Sequence, residues 1–475
     1  MSSRVLLFSS ISVLILFLFM RFFLISESFL FFGDMGRDFN VLHTWLETGK
    51  PPLLGPQNSA LPFNQSPIYF YYLMPFYLIS NHSLYATLIA TAVFHIAVFA
   101  IGMYLVKEEK SWSLSWIIVW LLFALSPQLI IQHRYVWNPS FVAACTALAF
   151  FSLIVLRKKM SILPLVSFVT SLALAVGFSY SAAPTAIVFV LSLPILFSFK
   201  NALKILGSTI LAGLIIHLPL VFFELRHNFT LTNLMLHYEK LDQQTLPAGQ
   251  TFWHIFELVF SVPQYRWLSL LSIMTIVLFI AVNKLWKAQK PINPLLISVA
   301  LLATNILLLI LLPVTVQAHY IFGVVALLCI SVAFLGVKTR LLLLTPLLLM
   351  WLQPSLFNQY FGQSWRTTEE TIACAKQVCQ QVSGPTFVSI QSAYHTYHTA
   401  PEFRYLFDKH GCEVINIEEP PELVSNVKQM LVVTESSSYD HGRTTFDELS
   451  KFGTSQYMGQ IDCSEKLRVH VLHRN

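Results

Sequence analysis

The sequence predicts a polytopic α-helical membrane protein of about eleven transmembrane helices, followed by a soluble α/β domain outside the cytoplasm. Two observations support this fold class. Of the 475 residues, 55% are hydrophobic and 11% are charged, whereas a soluble globular chain carries about 25% charged residues. The charge is also uneven: residues 1–356 carry twenty Lys/Arg and ten Asp/Glu, and residues 357–475 carry ten and fourteen. These numbers predict a basic membrane domain (1–356) and a mildly acidic soluble domain (357–475), and they exclude a disordered or fibrous chain.

Runs of about twenty apolar residues are long enough to cross a bilayer as helices. The first run is too long, and lacks the small-residue cleavage site, for a removable signal peptide, so we expect it to be an anchor. The predicted spans are residues 5–25, 83–106, 113–131, 140–156, 161–179, 182–199, 203–223, 268–283, 292–312, 319–336 and 341–356.

The loop charges predict the orientation in a cell membrane. With the N-terminus in the cytoplasm, thirteen of the twenty Lys/Arg before residue 357 lie in cytoplasmic segments, which hold only two acids. This distribution follows the positive-inside rule and places the C-terminal domain outside. Residues 67–79 are apolar but contain Pro67 and Pro75. A crossing there would reverse every later loop, so we predict an interfacial or re-entrant segment within a long outside loop, residues 26–82.

Residues 357–475 alternate between helical and strand-like patterns, which predicts a small α/β domain. The predicted helices and strands are 368–381 and 402–409, and 386–390, 413–417, 431–434 and 468–472. Four of the six cysteines lie here, and an outside location permits disulfides. On a helix, Cys374 and Cys379 point about 140° apart, so we expect them not to bond to each other. Free buried thiols are the alternative.

The first outside loop places two acids at the start of a predicted helix. Gly33-Asp34-Met35-Gly36-Arg37-Asp38 opens the loop, and the helix should run to Thr48 and end at Gly49. Asp38 falls inside the apolar arc of this helix, and Asp34 projects the same way one turn earlier. An acid turned toward the protein beside a membrane is costly unless it has a partner or a task. The alternative is an ion pair with Arg37 plus a helix cap by Asp34, worth about 1 kcal/mol.

Other outside-facing polar groups lie at the outer ends of predicted spans. Arg and His at that depth suit an anion such as a phosphate. The alternative for each residue is a snorkelling arginine or an interfacial aromatic anchor. The candidate binding residues are Arg37, His133, Arg134, Arg226, His227, His319 and Tyr320, together with the segment Tyr265-Arg266-Trp267.

The order of these features resembles the GT-C-fold glycosyltransferases that use polyprenyl-phosphate sugars. This superfamily includes the protein O-mannosyltransferases of glycosyltransferase family 39 and the lipid A aminoarabinose transferase. The matching motifs are Gly33-Asp34-x-x-Arg37-Asp38, Trp137-Asn138-Pro139, Phe223-Glu224-Leu225-Arg226-His227 and His319-Tyr320. The resemblance covers residues 1–356. It departs at Met35, where many relatives have Glu, and at Gln65-Ser66, where some have Lys.

The resemblance implies an inverting transfer of a sugar from a polyprenyl phosphate to an acceptor outside the cytoplasm. The acceptor would be a protein, a lipid or a cell-envelope glycan. The first-loop Asp of the family is the general base and maps onto Asp34. From the residues themselves we also count Asp38 among the catalytic residues and expect the cationic residues to hold the phosphate. The chemistry requires no cofactor, and dependence on a divalent metal is left open. The partners are the lipid donor, the acceptor and the bilayer, with no nucleic acid.

Two other function classes are compatible with a polytopic chain. A transporter or flippase would more often show symmetric halves or acids within its spans, and Asp and Glu are absent from the middle of every predicted span. A lipid-linked glycan ligase or polymerase is closer in chemistry, but it would usually rely on Arg/His-rich outside loops without a leading Asp.

Overall fold

The structure is a computed structural model that comprises two compact units. The membrane unit consists of Met1–Phe23 and Pro51–Leu356, and the tail unit of Leu24–Lys50 and Phe357–Asn475. The start of the loop that is predicted to lie outside therefore belongs to the same unit as the C-terminal residues. The described residues are 3–57, 64–237, 246–260, 293–312, 315–341, 351–392, 399–416, 421–435, 439–440, 444 and 448–475.

Helices dominate the described part of the chain. In chain order they are α1 (Ser3–Phe22), α2 (Ile25–Ser28), α3 (Asp34–Thr48), α4 (Ile68–Ile79), α5 (Ala86–Val106), α6 (Lys110–Leu125), α7 (Pro127–Arg134), α8 (Val142–Lys158), α9 (Ile162–Phe178), α10 (Ala183–Leu196), α11 (Phe199–Ile216), α12 (Leu218–Arg226), α13 (Thr230–Leu236), α14 (Ala248–Phe260), α15 (Pro294–Ile310), α16 (Phe322–Ala333), α17 (Pro354–Phe361), α18 (Thr368–Gln381), α19 (Pro401–Lys409), α20 (Pro421–Asn426) and α21 (Glu448–Phe452). Short 3₁₀ turns, Asn138–Phe141, Tyr180–Ala182 and Ala318–Ile321, precede α8, α10 and α16.

The predicted spans that lie within the described residues coincide with helices or helix pairs. Of these, α1, α5, α11 and α8 with its preceding turn are long and apolar enough to cross a membrane, and α6 with α7 makes a fifth if the pair is one span. Helices α9, α10, α15 and α16 are apolar but shorter. Span 268–283 and most of span 341–356 lie outside the described residues, so the number eleven stays a prediction.

The predicted span 113–131 corresponds to a bent pair of helices, because the chain turns by 69° between α6 and α7. Ser126 at the bend has extended backbone angles, φ −70° and ψ 118°. The next residue is Pro127, whose ring disfavours the helical conformation in the residue before it. The bend turns α7 away from the axis of α6 and so sets the position of the residues that end α7.

Helix α8 lies at the centre of the membrane unit and is almost wholly buried. Its side chains pack between α5, α9 and α16, and large aromatic residues fill the adjoining space around α6. The rings of Trp116 and Phe151 pack edge to face, with their centroids 4.9 Å apart. Phe151 also stacks on Phe334, with a centroid distance of 5.7 Å. A helix that is apolar on all sides is expected at such a central position.

The tail unit contains a four-stranded sheet of order β1 (Thr386–Gln391), β2 (Gln429–Thr434), β4 (Arg468–Arg474) and β3 (Ser455–Asp462). Strands β1 and β2 are parallel, and the other two pairs are antiparallel. One side of the sheet buries the core residues Phe387, Val427, Met430, Val432, Phe452 and Leu472. The sheet and its helices confirm the predicted α/β character of the tail.

Two details of the tail prediction are wrong. The predicted strand 413–417 forms a single bridge, between Val414 and Thr386, within the described residues. The edge strand β3 was not predicted, because most of its side chains are exposed and its sequence carries no alternating apolar pattern. Its register comes from pairing with β4, which includes a bulge between Tyr457 and Gly459.

Disulfides connect Cys374 to Cys463 and Cys379 to Cys412. The prediction that the two cysteines of α18 do not bond to each other is thus confirmed, and the alternative of four free thiols is wrong. Each bond ties α18 to a different part of the tail unit, one to the residue after β3 and one to the residues after α19. The thiols of Cys145 and Cys329, in the membrane unit, are free and buried.

Candidate functional site

Helix α3 carries both acids of the first loop and belongs to the tail unit. It begins at Asp34, directly after Gly33, whose φ of +54° favours glycine. It ends at Gly49, which has φ +66° and donates its amide to Trp45 O at 2.9 Å. The predicted end of the helix is confirmed. The alternative in which the Asp34 side chain caps the helix is wrong, because Gly33 occupies the cap position.

Arg37 joins the two acids by charge-assisted hydrogen bonds. Its Nη1 donates to Asp34 Oδ1 at 2.7 Å, and its Nη2 and Nε donate to Asp38 Oδ1 at 2.8 and 3.0 Å. The side chain of Asp38 is 0% exposed and that of Asp34 is 36% exposed. Asp38 is buried, as the helical arc predicted. The accessible carboxylate of the pair is therefore that of Asp34.

The position of α3 is determined by close packing against α19. A Cβ atom on Gly36 would lie 2.2 Å from the backbone nitrogen of Glu402, so only glycine permits this approach. Asn40 Nδ2 donates to Pro401 O at 3.1 Å. The rings of Phe39 and Tyr405 pack edge to face, with their centroids 5.3 Å apart. The acids of the first loop are therefore held by a helix that lies more than 360 residues later in the chain.

A buried ionic network fixes the start of α3. Glu402, 0% exposed, accepts a hydrogen bond from the Gly33 amide at 3.2 Å and pairs with Arg366 Nη2 at 2.5 Å. Arg366 also donates through Nε to Glu435 at 2.9 Å and through Nη1 to Thr371 Oγ1 at 2.9 Å. The guanidinium is shared between two buried carboxylates. Removal of the arginine, or of both carboxylates, would therefore leave buried charge without a partner of opposite sign.

In the membrane unit, His133 and Arg134 lie at the end of α7 and are buried, not exposed. Arg134 Nη1 donates to the carbonyls of Arg21 and Phe23, at 2.9 and 3.0 Å. Arg21 in turn donates from Nε to His133 Nδ1 at 3.1 Å and to the carbonyls that end α6. These groups satisfy helix-terminal carbonyls that lack partners within their helices. Phosphate binding by His133 and Arg134 stays a prediction.

The structure brings the Trp137-Asn138-Pro139 motif next to the His319-Tyr320 motif. The ring centroids of Trp137 and His319 lie 5.1 Å apart, and those of His319 and Tyr320 lie 4.7 Å apart. Asn138 Nδ2 donates to Gln65 Oε1 at 2.9 Å and to the carbonyl of Phe178 at 2.8 Å. Two of the predicted clusters thus lie together in the membrane unit, with Gln65 as an additional member.

Arg226 and His227 follow the apolar part of α12 and are exposed. The ring of His227 stacks on that of Phe223 at 4.1 Å. Glu224 accepts hydrogen bonds from the amides of Leu231 and Thr232, at 3.0 and 2.9 Å, and so caps α13. Burial opposes ionisation of Glu224, but the hydrogen bonds from Thr232 and Leu231 and the charge of His227 outweigh it and lower its pKa. The segment Tyr265-Arg266-Trp267 lies outside the described residues.

Two sets of residues that support the candidate site residues were missed by the sequence analysis. Glu402 and Arg366 lie in the tail, and the only local signal was an acid in the first turn of an amphipathic helix, Pro401–Lys409. Gln65 was noted only as a departure from a family lysine, yet it lies buried against Asn138. Contacts across such sequence distances produce no periodic pattern, so only the fold reveals them.

No protein-family model matches the chain, and no curated protein matches it. The fold is that of ArnT, the lipid A aminoarabinose transferase with a GT-C fold. The crystal structure of ArnT from Cupriavidus metallidurans bound to undecaprenyl phosphate superposes with a TM-score of 0.64 at 11% identity, covering 99% of this chain and 98% of that one. Its apo state gives 0.62 at 12% identity, covering 97% of each chain. The predicted GT-C resemblance is confirmed as a likeness of fold.

Proposed function

We propose that this protein is an integral membrane glycosyltransferase that moves a sugar from a polyprenyl-phosphate donor to an acceptor outside the cytoplasm. The observation that carries the proposal is the ArnT fold over nearly the whole chain, since one of the two ArnT structures is bound to undecaprenyl phosphate. The likeness to ArnT covers both the membrane unit and the tail unit. This coverage supports the same class of reaction more strongly than a match to the membrane helices alone would.

In the proposed reaction, Asp34 is the general base. Its carboxylate is partly exposed at the first residue of α3, and Arg37 and Gly33 fix its direction. Asp34 would take the proton of the acceptor hydroxyl as that oxygen attacks the anomeric carbon and the bond to the phosphate breaks. A single displacement from the face opposite the phosphate inverts the anomeric configuration. Asp38 would act through Arg37, as a positioning residue.

The leaving group is a lipid phosphate, and its negative charge must be stabilised by preorganised donors. The membrane unit supplies cationic and hydrogen-bonding groups of that kind. Arg226 and His227 are exposed, and His319 and Tyr320 are half-buried, so these four can meet a ligand directly. Arg134 and His133 would act from buried positions. These groups are chemically sufficient for the phosphate, so the proposed mechanism requires no cofactor.

The proposed location is the outer face of the cell membrane, with the N-terminus in the cytoplasm. Loop charges support this orientation. The two disulfides of the tail unit support it independently, because disulfides persist in oxidising compartments outside the cytoplasm. The acceptor would then be a protein, a lipid or a cell-envelope glycan that is exposed on that side.

The test is release of free polyprenyl phosphate from sugar-loaded donors by the purified full-length protein in lipid nanodiscs. We expect release from at least one donor in a panel of polyprenyl-phosphate hexoses and pentoses, and faster release when peptide, lipid or glycan acceptors are added. No release from any donor by folded protein would refute the transferase assignment. Movement of intact donor across a vesicle bilayer without release would instead identify a flippase.

A further inference from the structure

We propose that His43, Glu47 and Asp408 form a zinc site that connects α3 to α19 within the tail unit. One ligand atom from each of these residues lies within 4.8 Å of the other two. His43 Nε2 is 3.2 Å from Glu47 Oε1 and 3.8 Å from Asp408 Oδ2. The inference rests on this cluster alone and does not depend on the proposed sugar transfer.

The separations match those of ligands around a tetrahedral zinc ion. Zinc binds nitrogen and carboxylate oxygen at about 2.0–2.2 Å, which places neighbouring ligand atoms about 3.3–3.5 Å apart. The two measured distances lie on either side of that value. The longer one, from His43 to Asp408, exceeds the 2.7–3.2 Å range of N–H···O hydrogen bonds. The His43–Glu47 contact lies within that range, so the gain from an ion is that it would also engage Asp408, which is too far from His43 for a direct hydrogen bond.

The fold brings the three side chains together in a way that limits their movement. His43 and Glu47 are four residues apart on α3, so they project from the same face. Asp408 lies in the last turn of α19, and the close approach at Gly36 holds that helix against α3. The rings of His43 and Tyr405 also pack edge to face, with their centroids 5.9 Å apart. The site therefore contains ligands from both helices that form the packed pair.

The chemistry of the ligands favours zinc over magnesium or calcium. One imidazole and two carboxylates suit zinc, whereas calcium and magnesium prefer oxygen ligands alone. The side chains of Glu47 and Asp408 are 60% and 44% exposed, so an ion can enter from solvent and keep a water as its fourth ligand. The competing interpretation is an ordinary surface ion pair that forms when His43 is protonated.

The first experiment measures zinc binding by the full-length protein in detergent. After chelation and desalting, zinc is titrated against a chromophoric competitor chelator. We expect one tight zinc per chain in the parent, and at least a tenfold loss of affinity in His43→Ala and in the double variant Glu47→Gln, Asp408→Asn. The control is His410→Ala with Glu413→Gln, which removes one histidine and one acid from the same unit and should bind as the parent does.

Cobalt substitution provides a second readout, because tetrahedral cobalt gives visible absorption bands. These bands should appear in the parent and control and be absent from His43→Ala, with circular dichroism verifying that each variant is folded. The site is refuted if the parent binds no zinc at micromolar free metal, or if the His43 variant binds it as tightly. Tighter binding of calcium or magnesium than of zinc would overturn the metal assignment.

The connection between the helices is tested by hydrogen exchange. Zinc should slow amide exchange in α3 and in α19 of the parent and leave exchange in the His43→Ala variant unchanged. Equal exchange with and without zinc in a parent that binds the ion would refute its role in joining the two helices. The measurement uses no sugar donor, so failure of the glycosyltransferase proposal would not affect its outcome.

Discussion

Asp34 and Asp38 are identical side chains on one helix, and we propose different roles for them because their surroundings differ. They lie four residues apart and share one cation, Arg37. Their environments differ because Asp38 points into the packed tail unit and Asp34 lies at the helix start. A buried carboxylate that is already paired is suited to holding its partner in place. A partly exposed carboxylate beside that same partner is suited to accepting a proton.

We therefore predict that Asp34→Asn lowers sugar transfer by roughly 10²–10⁴-fold, the usual contribution of general base catalysis. Asparagine keeps the size of the side chain and an oxygen that can accept from Arg37, so the melting temperature should stay near that of the parent. Glu369→Gln, at an exposed acid in the first turn of α18, is the matched control. Near-parent transfer by Asp34→Asn would show that another group is the base.

The arginines of the membrane unit should separate into two kinds. Arg226 is exposed, so Arg226→Ala should raise the donor concentration needed for half-maximal rate by tenfold or more without loss of stability. Charge-assisted hydrogen bonds are worth about 1.5–3 kcal/mol, which supports that magnitude. Arg134 is buried against the carbonyls that end α1, so Arg134→Ala should lower the melting temperature. Unchanged donor dependence in Arg226→Ala would reduce Arg226 to an interfacial anchor.

At the scale of elements, the helix pair α3 and α19 controls where Asp34 lies. Gly33 donates to Glu402, Asn40 donates to Pro401, and Gly36 lies against the backbone of α19. The sequence predicted α3 itself, because an apolar arc, an acidic start and a terminal glycine are local signals. It did not predict the partner helix as the support, because that contact joins residues 33–40 to residues 401–402.

The contrast between local sequence signals and long-range contacts also explains which other parts of the tail were predicted. Helix α18 was predicted with its observed limits from its helical pattern, and in the structure it begins after Thr367, whose side chain forms a capping box with Glu370. Strands β1 and β2 are buried and apolar, and their patterns predicted them. Strand β3 is exposed along one edge of the sheet, where pairing with β4 determines the structure and the local sequence does not.

We predict that Gly36→Ala destabilises the tail unit by about 1–3 kcal/mol, the usual cost of overpacking. The added Cβ would lie 2.2 Å from a backbone nitrogen, so α3 must shift away from α19 and carry Asp34 with it. Transfer should fall along with the melting temperature. The control is Gly207→Ala in α11, where an added Cβ meets nothing within 4 Å. Parent-like stability of Gly36→Ala would contradict the close approach of the two helices.

At the scale of the whole molecule, the two compact units divide the chain differently from the two predicted domains. The sequence predicted a membrane domain of residues 1–356, which includes the first outside loop, and a separate domain of residues 357–475. The observed units differ, because Leu24–Lys50 groups with Phe357–Asn475. The proposed base therefore lies in the tail unit, and the candidate phosphate ligands other than Arg37 lie in the membrane unit.

The cysteines offer a test of the tail unit in the intact protein. Two disulfides and two free buried thiols account for all six cysteines. Alkylation of unfolded, unreduced protein should therefore label two thiols, and alkylation after reduction should label six, as counted by intact mass. Loss of both disulfides through serine substitutions should lower the stability of the tail unit by about 2–4 kcal/mol each. Six labelled thiols without reduction would contradict the pairing.

The orientation of the chain decides where the reaction occurs, and two exposed lysines allow it to be measured. Lys159 follows α8 in a turn that the charge pattern places in the cytoplasm, and Lys466 lies between β3 and β4 in the tail unit. Lys159→Cys and Lys466→Cys are matched variants, because each replaces an exposed lysine. A membrane-impermeant maleimide should label Lys466→Cys in right-side-out vesicles and Lys159→Cys in inverted vesicles. The reverse pattern would place the tail in the cytoplasm and overturn the proposed reaction at the outer face. Labelling of both variants from the same side would show that an even number of spans separates the two positions.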